Sequence, residues 1–263
     1  QMTEPAAASR LFRRHGCTSC VENGPADHFP RGFRSSLDNF SPVFGKDKRR
    51  VSNRSSSLPD QKSAEPIVMQ RVSGNVRWGF EGWFHDEKKS GSVVLDLHIH
   101  DLDFLRYMLG EPDDFEVRAT TFDSGMINQV ITTYEFGDVF ATAEGVWDVS
   151  PIPKFQAGFR AYFEKGTVYF NQAGQPGLAV YKDDGTEIIP ELHPEYEGQT
   201  NTGINITNLG PYYTEIKYFL ECLQDGKEIT LAPLQEGVKS VEQALEEWEA
   251  AKLYLREKKE MYI

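Results

Sequence analysis

The sequence predicts an α+β fold, a broad and mainly antiparallel open sheet flanked by helices. Three observations predict it. Short runs of alternating apolar and polar residues fill the middle of the chain. Tight-turn dipeptides join several of them. The segments of helical period flank these runs instead of alternating with them, so the regular strand–helix–strand rhythm of a parallel sheet is missing. No internal repeat is visible.

Taken in order, residues 1–65 read as irregular. AAASRLFRRHG (6–16) has the composition of a short helix stopped by Gly16. It is followed by NGPADHFPRGFRSS and KDKRRVSNRSSSLPDQKSAEP, rich in Ser, Arg, Pro and Gly and without a sustained period, which offset ordering entropy poorly. The pattern changes at Pro66. PIVMQRVSG is a strand, and the aromatic segment NVRWGFEGWFHDEKKSG that follows is a loop. Val93 to about Leu109 is a helix, ending at Gly110 with Pro112 beyond. FEVRATTF is a strand, and MINQVITTYEF with VFATAEGVW forms a hairpin around Gly137-Asp138. FQAGFRAYF, TVYFNQ, LAVYKDDGTEII and EITLAP read as further strands, with Asp183-Asp184-Gly185 as a second tight turn. YYTEIKYFLECLQDG (212–226) is a helix stopped by Gly226, and VKSVEQALEEWEAAKLYLREKK is a long C-terminal helix. The expected division is therefore an irregular segment 1–65 and an α+β domain 66–263.

Composition bounds the function. A chain of 263 residues with 39% hydrophobic and 12% aromatic residues suits a globular protein with a sizeable core. No apolar run approaches the roughly 18 residues of a membrane span, and the first residues lack the apolar core of a secretory signal. Cys17, Cys20 and Cys222 do not make a disulfide framework, so a reducing cytoplasm is expected. Residues 1–65 carry 11 Lys/Arg against 7 Asp/Glu, whereas residues 66–263 carry 17 against 33. An acidic body argues against nucleic acid as a partner, because phosphate contacts need a cationic surface.

Chemistry-bearing residues concentrate in SGSVVLDLHIHDLDFLRYMLG (90–110). As a helix, Leu95, Ile99, Leu102, Leu105 and Leu109 form one apolar stripe. Asp96, His100, Asp103 and Tyr107 form a second stripe beside it. Asp96 and His100 are one turn apart, so their side chains can meet. A carboxylate beside an imidazole orients the ring and raises its pKa, making a proton shuttle. The same residues also suit a dipole-favoured acid in the first turn and a satisfied histidine. His98 and His100 lie on opposite sides of the helix and cannot chelate one ion, so no metal is expected. Trp78, Phe80, Trp83, Phe84 and His85 offer an aromatic wall for a sugar ring, or equally core and interface packing. Tyr212 and Tyr213, following Asn205 and Asn208, reach toward the same cleft. The lone Cys17-x-x-Cys20, with His15 and His28 nearby, lacks the spacing of a zinc site. The acidic face of LEEWEAAKLYLREKKE reads as solvated. The aromatic, β-branched strands leave an apolar sheet face that a second copy would cover.

The run SGSVVLDLHIHDLDFLRYMLGEP resembles the Gly-Gly-Gly-x-x-x-Asp-x-x-x-His-x-x-Asp segment of the Gfo/Idh/MocA oxidoreductases. The likeness extends through PIVMQRVSG, ITTYEFGDVFATAEGVW, FRAYFEKGTVYF and YFLECLQDGKEITLAPLQEGVKSVEQALEEWEAAK, roughly residues 66–263. It implies the substrate-binding and oligomerisation domain of an NAD- or NADP-dependent enzyme that oxidises a sugar or polyol hydroxyl or reduces the matching carbonyl. By motif position it implies Asp96 and His100 as catalytic residues, with Asp103 the last residue of the motif; Trp83, His85, Asp103 and Tyr213 are the residues expected toward the substrate. Gly91 stands between Ser90 and Ser92 where the family pattern has three glycines. The dinucleotide fingerprint G-x-G-x-x-G is not found among Gly16, Gly24, Gly32 and Gly45, and Thr3-Glu4-Pro5 and Ala64-Glu65-Pro66 lack the lysine of the family's Glu-Lys-Pro. Residues 1–65 are accordingly expected to be a truncated, divergent or out-of-frame remnant, and the chain alone to bind a nicotinamide cofactor poorly. The alternative is a non-catalytic binding or oligomerisation module.

Overall fold

The computed structural model describes residues 66–75, 79–151, 154–190 and 210–261. The expectations for residues 1–65, and those for Trp78, Asn205 and Asn208, lie outside the described residues. Eight strands form one sheet: β1 (Ile67–Ser73), β2 (Asp114–Thr121), β3 (Ile127–Phe136), β4 (Val139–Trp147), β5 (Gln156–Phe163), β6 (Gly166–Asn171), β7 (Leu178–Lys182) and β8 (Glu187–Ile188). Their order is β2-β3-β4-β1-β5-β6-β7-β8. Every neighbouring pair is antiparallel except β1 with β4. That one parallel pair needs a long crossover, which the chain makes through a helix and the β2–β3 strands. The α+β expectation holds.

Among the described residues, three α-helices longer than one turn accompany the sheet: α1 (Ile99–Leu109), α2 (Gly210–Asp225) and α3 (Leu234–Glu260). A π-helical turn, Val94–His98, leads directly into α1. The π turn, α1 and α3 pack over the β1–β4 half of the sheet. The inner face there alternates as a half-buried strand should: Ile67, Met69 and Arg71 of β1 pair with Ala141, Ala143 and Gly145 of β4. The small residues of β4 let the helical layer approach. A Cβ on Gly145 would come within 2.9 Å of His98 Cβ. Leu102 and Leu105 of α1, both fully buried, fill the space above, each contributing about 2 kcal/mol.

Two expectations are corrected. EITLAP (228–233) is not a strand. The backbone N–H groups of Thr230 and Leu231 both donate to Tyr218 Oη of α2, so this segment satisfies its donors on the helix it follows, not on a sheet edge. The buried face of the π turn and α1 is also rotated from the predicted stripe. It carries Val94, Leu97, His98, Asp101, Leu102, Leu105 and Arg106, while Leu95, Ile99 and Leu109 are only half-buried. Polar residues occupy it because each finds partners. Arg106 donates to Glu111 and Glu236 carboxylates at 2.6 and 3.0 Å and to Ser240 Oγ, tying the end of α1 to the start of α3.

The entry to the π turn depends on Gly91. Its φ is +69°, and a Cβ there would lie 2.2 Å from Leu95 Cδ1. Ser92 continues the left-handed path at φ +63°, with its Oγ accepting from Val94 N at 3.4 Å. Gly91→Ala combines left-handed strain with an overpacked contact and is expected to cost about 3 kcal/mol. Denaturant unfolding of the variant checks this, with wild-type stability as the contrary result.

Candidate functional site

The π turn and the start of α1 place Asp96 and His100 on the outer side of the helical layer, and the two residues meet different neighbours. Asp96 is half-buried, and burial raises its carboxyl above the usual aspartate value. The Trp147 indole at the end of β4 is turned toward it and offsets part of the rise, although Nε1 makes no hydrogen bond of full geometry. Trp147 in turn packs edge-on against Phe84, at 6.1 Å between ring centroids, and Phe84 against Trp83 at 5.1 Å. The aromatic segment thus extends from the Asp96 side. It forms a 3-10 turn, Phe80–His85, in which Trp83 and His85 are exposed.

His100 faces another set. Its ring is open to solvent on one side, yet the surrounding protein removes enough water to push its pKa below the ordinary histidine value. Arg71 of β1 lowers it further, while the carboxylates of Asp101, Asp103 and Glu215 push the other way. The net direction leaves a neutral imidazole at neutral pH, able to accept a proton. Arg71 is held in place: Nη2 and Nε donate to Asp101 Oδ1 at 2.7 and 3.2 Å, and the guanidinium lies 5.8 Å from the Phe155 ring centroid. Asp101 is buried, so a rigid carboxylate fixes the cation beside the histidine.

The side-chain meeting of Asp96 and His100 expected from their spacing does not form; no hydrogen bond or ion pair joins them. Asp103 accepts from Ser240 Oγ of α3, which directs that carboxylate to the helix interface. Tyr213 is exposed on α2, two residues before Glu215.

Sequence reasoning passed over Arg71 and Glu247, and weighed His98 only as a metal ligand. His98 and Glu247 are both fully buried, with His98 Nε2 at 2.7 Å from Glu247 Oε2. Tyr134 Oη and Thr132 Oγ1 donate to the same carboxylate at 3.0 and 2.8 Å. The only signal in the sequence was an acid in a helix otherwise read as a solvated face. Among the described residues no group of three or more His, Cys, Asp or Glu gathers to hold a metal ion, and no helix is long and apolar enough to cross a membrane.

The His100 environment makes signed predictions. Its pKa in the folded chain lies below the unfolded value near 6.5. The native state is therefore disfavoured at this group as pH falls through that value. Glu215→Gln removes a carboxylate that favours the imidazolium and is expected to lower the His100 pKa further. Replacing Arg71 and Asp101 together by Gln and Asn is expected to raise it, because Arg71 acts on the ring more strongly than Asp101 does. Histidine-selective NMR titration of the three proteins checks both signs.

Comparison with known proteins follows this geometry. Residues 66–169 match the model of the GFO/IDH/MocA C-terminal domain. No curated protein matches the chain. Among solved structures, the fold is similar to levoglucosan dehydrogenase in complex with NADH, with a TM-score of 0.58 and 15% identity over 73% of this chain and 57% of that one. It is also similar to UDP-N-acetylglucosamine 3-dehydrogenase from Acidithiobacillus ferrooxidans, with a TM-score of 0.54 and 15% identity over 73% of this chain and 55% of that one. A third is aldose-aldose oxidoreductase from Caulobacter crescentus complexed with glycerol, at a TM-score of 0.52 and 18% identity over 70% and 53% of the two chains. The chain spans a little over half the length of these structures.

Proposed function

We propose, from the match of residues 66–169 to the GFO/IDH/MocA C-terminal domain, that residues 66–263 bind the substrate of an oxidoreductase acting on a sugar or polyol hydroxyl, or on the matching carbonyl. The observation that carries the reading is His100, an accessible imidazole kept neutral beside a fixed guanidinium. Oxidation of a carbinol removes a hydride from carbon and a proton from oxygen, and the proton needs a base within hydrogen-bond reach. His100 takes that proton in the oxidative direction and returns it in the reductive one. Arg71, beside it, favours the alkoxide-like oxygen that develops as the proton leaves. Asp96 hydrogen-bonds a neighbouring hydroxyl, and Trp83 offers a face for the apolar side of the ring. His85, Asp103 and Tyr213 border the same surface in this reading.

A nicotinamide cofactor would supply the hydride acceptor. The described residues do not fit its pyrophosphate: their single parallel strand pair, β1 with β4, is not joined through a glycine-rich turn that opens a helix. No step is therefore routed through it. The second reading, a binding or oligomerisation module, is favoured by that same mismatch and by the outer sheet face. Ile131, Phe140, Tyr169 and Tyr181 are each about 40% exposed there, an apolar surface suited to a second copy of the chain.

Titration of the full chain with hexoses, pentoses and inositols, followed at the His100 ring resonances, tests the first reading. A saturable shift is expected for at least one sugar class and is expected to be lost in His100→Asn on calorimetry. No response to any of them at millimolar concentration sinks it. Calorimetry with NADH and NADPH is expected to show no binding stronger than millimolar; micromolar binding by this chain would contradict the cofactor mismatch. Light scattering is expected to show a dimer that Tyr169→Lys with Tyr181→Lys dissociates.

A further inference from the structure

Arg71 of β1 carries more hydrogen-bonding capacity than the fold uses. A guanidinium has two edges that each fit a carboxylate, one formed by Nε–H with an Nη2 proton and one by Nη1–H with the other Nη2 proton. Asp101 takes the first edge: Nε and Nη2 both donate to its Oδ1, at 3.2 and 2.7 Å. The second edge is open. Among the described residues Nη1 has no hydrogen-bond partner, yet it is not one of the buried polar atoms left without one, and the Arg71 side chain is 21% exposed. Its neighbours across β4 and β5, Gly145 and Ala157, are too small to cover it. Asp101 is buried, and the Phe155 ring centroid lies 5.8 Å from the guanidinium carbon, so the cation is held with its open edge accessible to water. His100 stands near enough for that cation to lower its pKa.

We propose that the open edge of Arg71 receives the carboxylate of a sugar acid, an aldonate or a uronate, and so sets the substrate class of this surface. The inference rests on the reading of His100 as the base for a carbinol. A neutral hydroxyl gains a single hydrogen bond from such an edge, whereas a planar carboxylate fills it with two parallel charge-assisted bonds. The cation that favours a developing alkoxide favours an anion already present in the ground state at least as well. A hydroxyl of the same molecule then lies toward His100. Asp103 and Glu215 oppose an incoming anion, but both are exposed, so water and salt screen them, and Asp103 also accepts from Ser240. Asp101 balances the charge of the guanidinium while leaving its second edge open. A phosphate ester would bring nearly two negative charges to that one edge beside Asp103 and Glu215, and is disfavoured.

The test is a titration of the full chain, read at the His100 ring resonances, with each acid set against its neutral counterpart. The pairs are gluconate with glucitol, galactonate with galactitol, glucuronate with glucose and galacturonate with galactose. At least one acid is expected to bind about tenfold more tightly than its counterpart, and the aldonate and uronate arms show which kind it is. Bound acid is also expected to raise the His100 midpoint, because it offsets the charge of Arg71, whereas the neutral counterpart leaves that charge in place. Arg71→Lys keeps a cation for Asp101 but has no second edge, and the preference should shrink to about threefold or less. Arg71→Gln with Asp101→Asn leaves neither charge buried alone and should abolish it; this variant decides if the lysine variant does not fold. Glu215→Gln is expected to tighten binding of the acid by about twofold. Acids that bind no more tightly than their counterparts overturn the proposal. So does a tenfold preference that persists in either Arg71 variant, or glucose 6-phosphate binding more tightly than any acid. In each of those cases ligands still move the His100 resonances and the proposed function stands. If no compound moves them, the proposed function itself fails and this inference falls with it.

Discussion

The described domain is organised around one carboxylate. Glu247 is fully buried in a helix whose sequence is otherwise strongly acidic and exposed. Burying a carboxylate without partners costs far more than any single contact returns, so it survives only with its donors in place. Those donors come from three places in the sequence: His98 from the π turn, Thr132 and Tyr134 from β3, and Gln243 from the preceding turn of α3. Losing one leaves the others facing an unsatisfied buried group, so the set behaves as a unit. The approach distance of α3 follows from it. Ala244 and Ala251, fully buried on the same helix, are small because the carboxylate has already drawn the helix close to the sheet.

From that anchor the outer surface divides into two microenvironments. On one side Asp96 lies against Trp147 and the aromatic turn, and burial favours its protonated form. On the other, His100 lies among Arg71 and three carboxylates, where loss of water to burial is the largest influence on the ring and Arg71 outweighs each carboxylate singly. Burial lowers the pKa of the ring most and Arg71 next, against the carboxylates of Asp101, Asp103 and Glu215. Asp101 is spent on Arg71 and Asp103 on Ser240. An electrostatic reading by charge count alone would assign His100 a raised pKa. The structure reverses that sign.

This reversal marks where the sequence was legible and where it was not. The strands were readable because β3 and β4 alternate with period two and the turns carry Gly137-Asp138 and Asp183-Asp184-Gly185, which are local signals. Gly226 likewise marked the end of α2. EITLAP was misread because an isolated β-prone run cannot reveal that Tyr218 will take its amide hydrogens. The helical stretch was recognised, but its buried face was not. A stripe built from Leu95, Ile99 and Leu109 assumes that the inner face is apolar, whereas His98, Asp101 and Arg106 lie there and each is satisfied by a residue far away in the chain. Period 3.6 also presumes an unbroken α-helix, whereas Val94–His98 is a π turn whose last residue bonds Glu247, 149 residues beyond it. Asp96 and His100 were found by type and spacing; their neighbours, which include Trp147, Arg71 and Glu215, were not, since these come from distant parts of the chain.

The two sides of the surface carry different shares of the proposed reaction. Proton transfer needs only hydrogen-bond reach between an oxygen and a base, and His100 with Arg71 can provide it on the described residues alone. Hydride transfer needs a carbon held against an acceptor in a dry, closed site. His100 is open to solvent on one side, so the described surface supplies a wall and not an enclosure. A ligand lying across Trp83, Asp96 and His100 would leave its opposite face uncovered. In the proposed function, that face is where the acceptor must approach, which is consistent with a chain spanning a little over half the length of the dehydrogenases whose fold it shares.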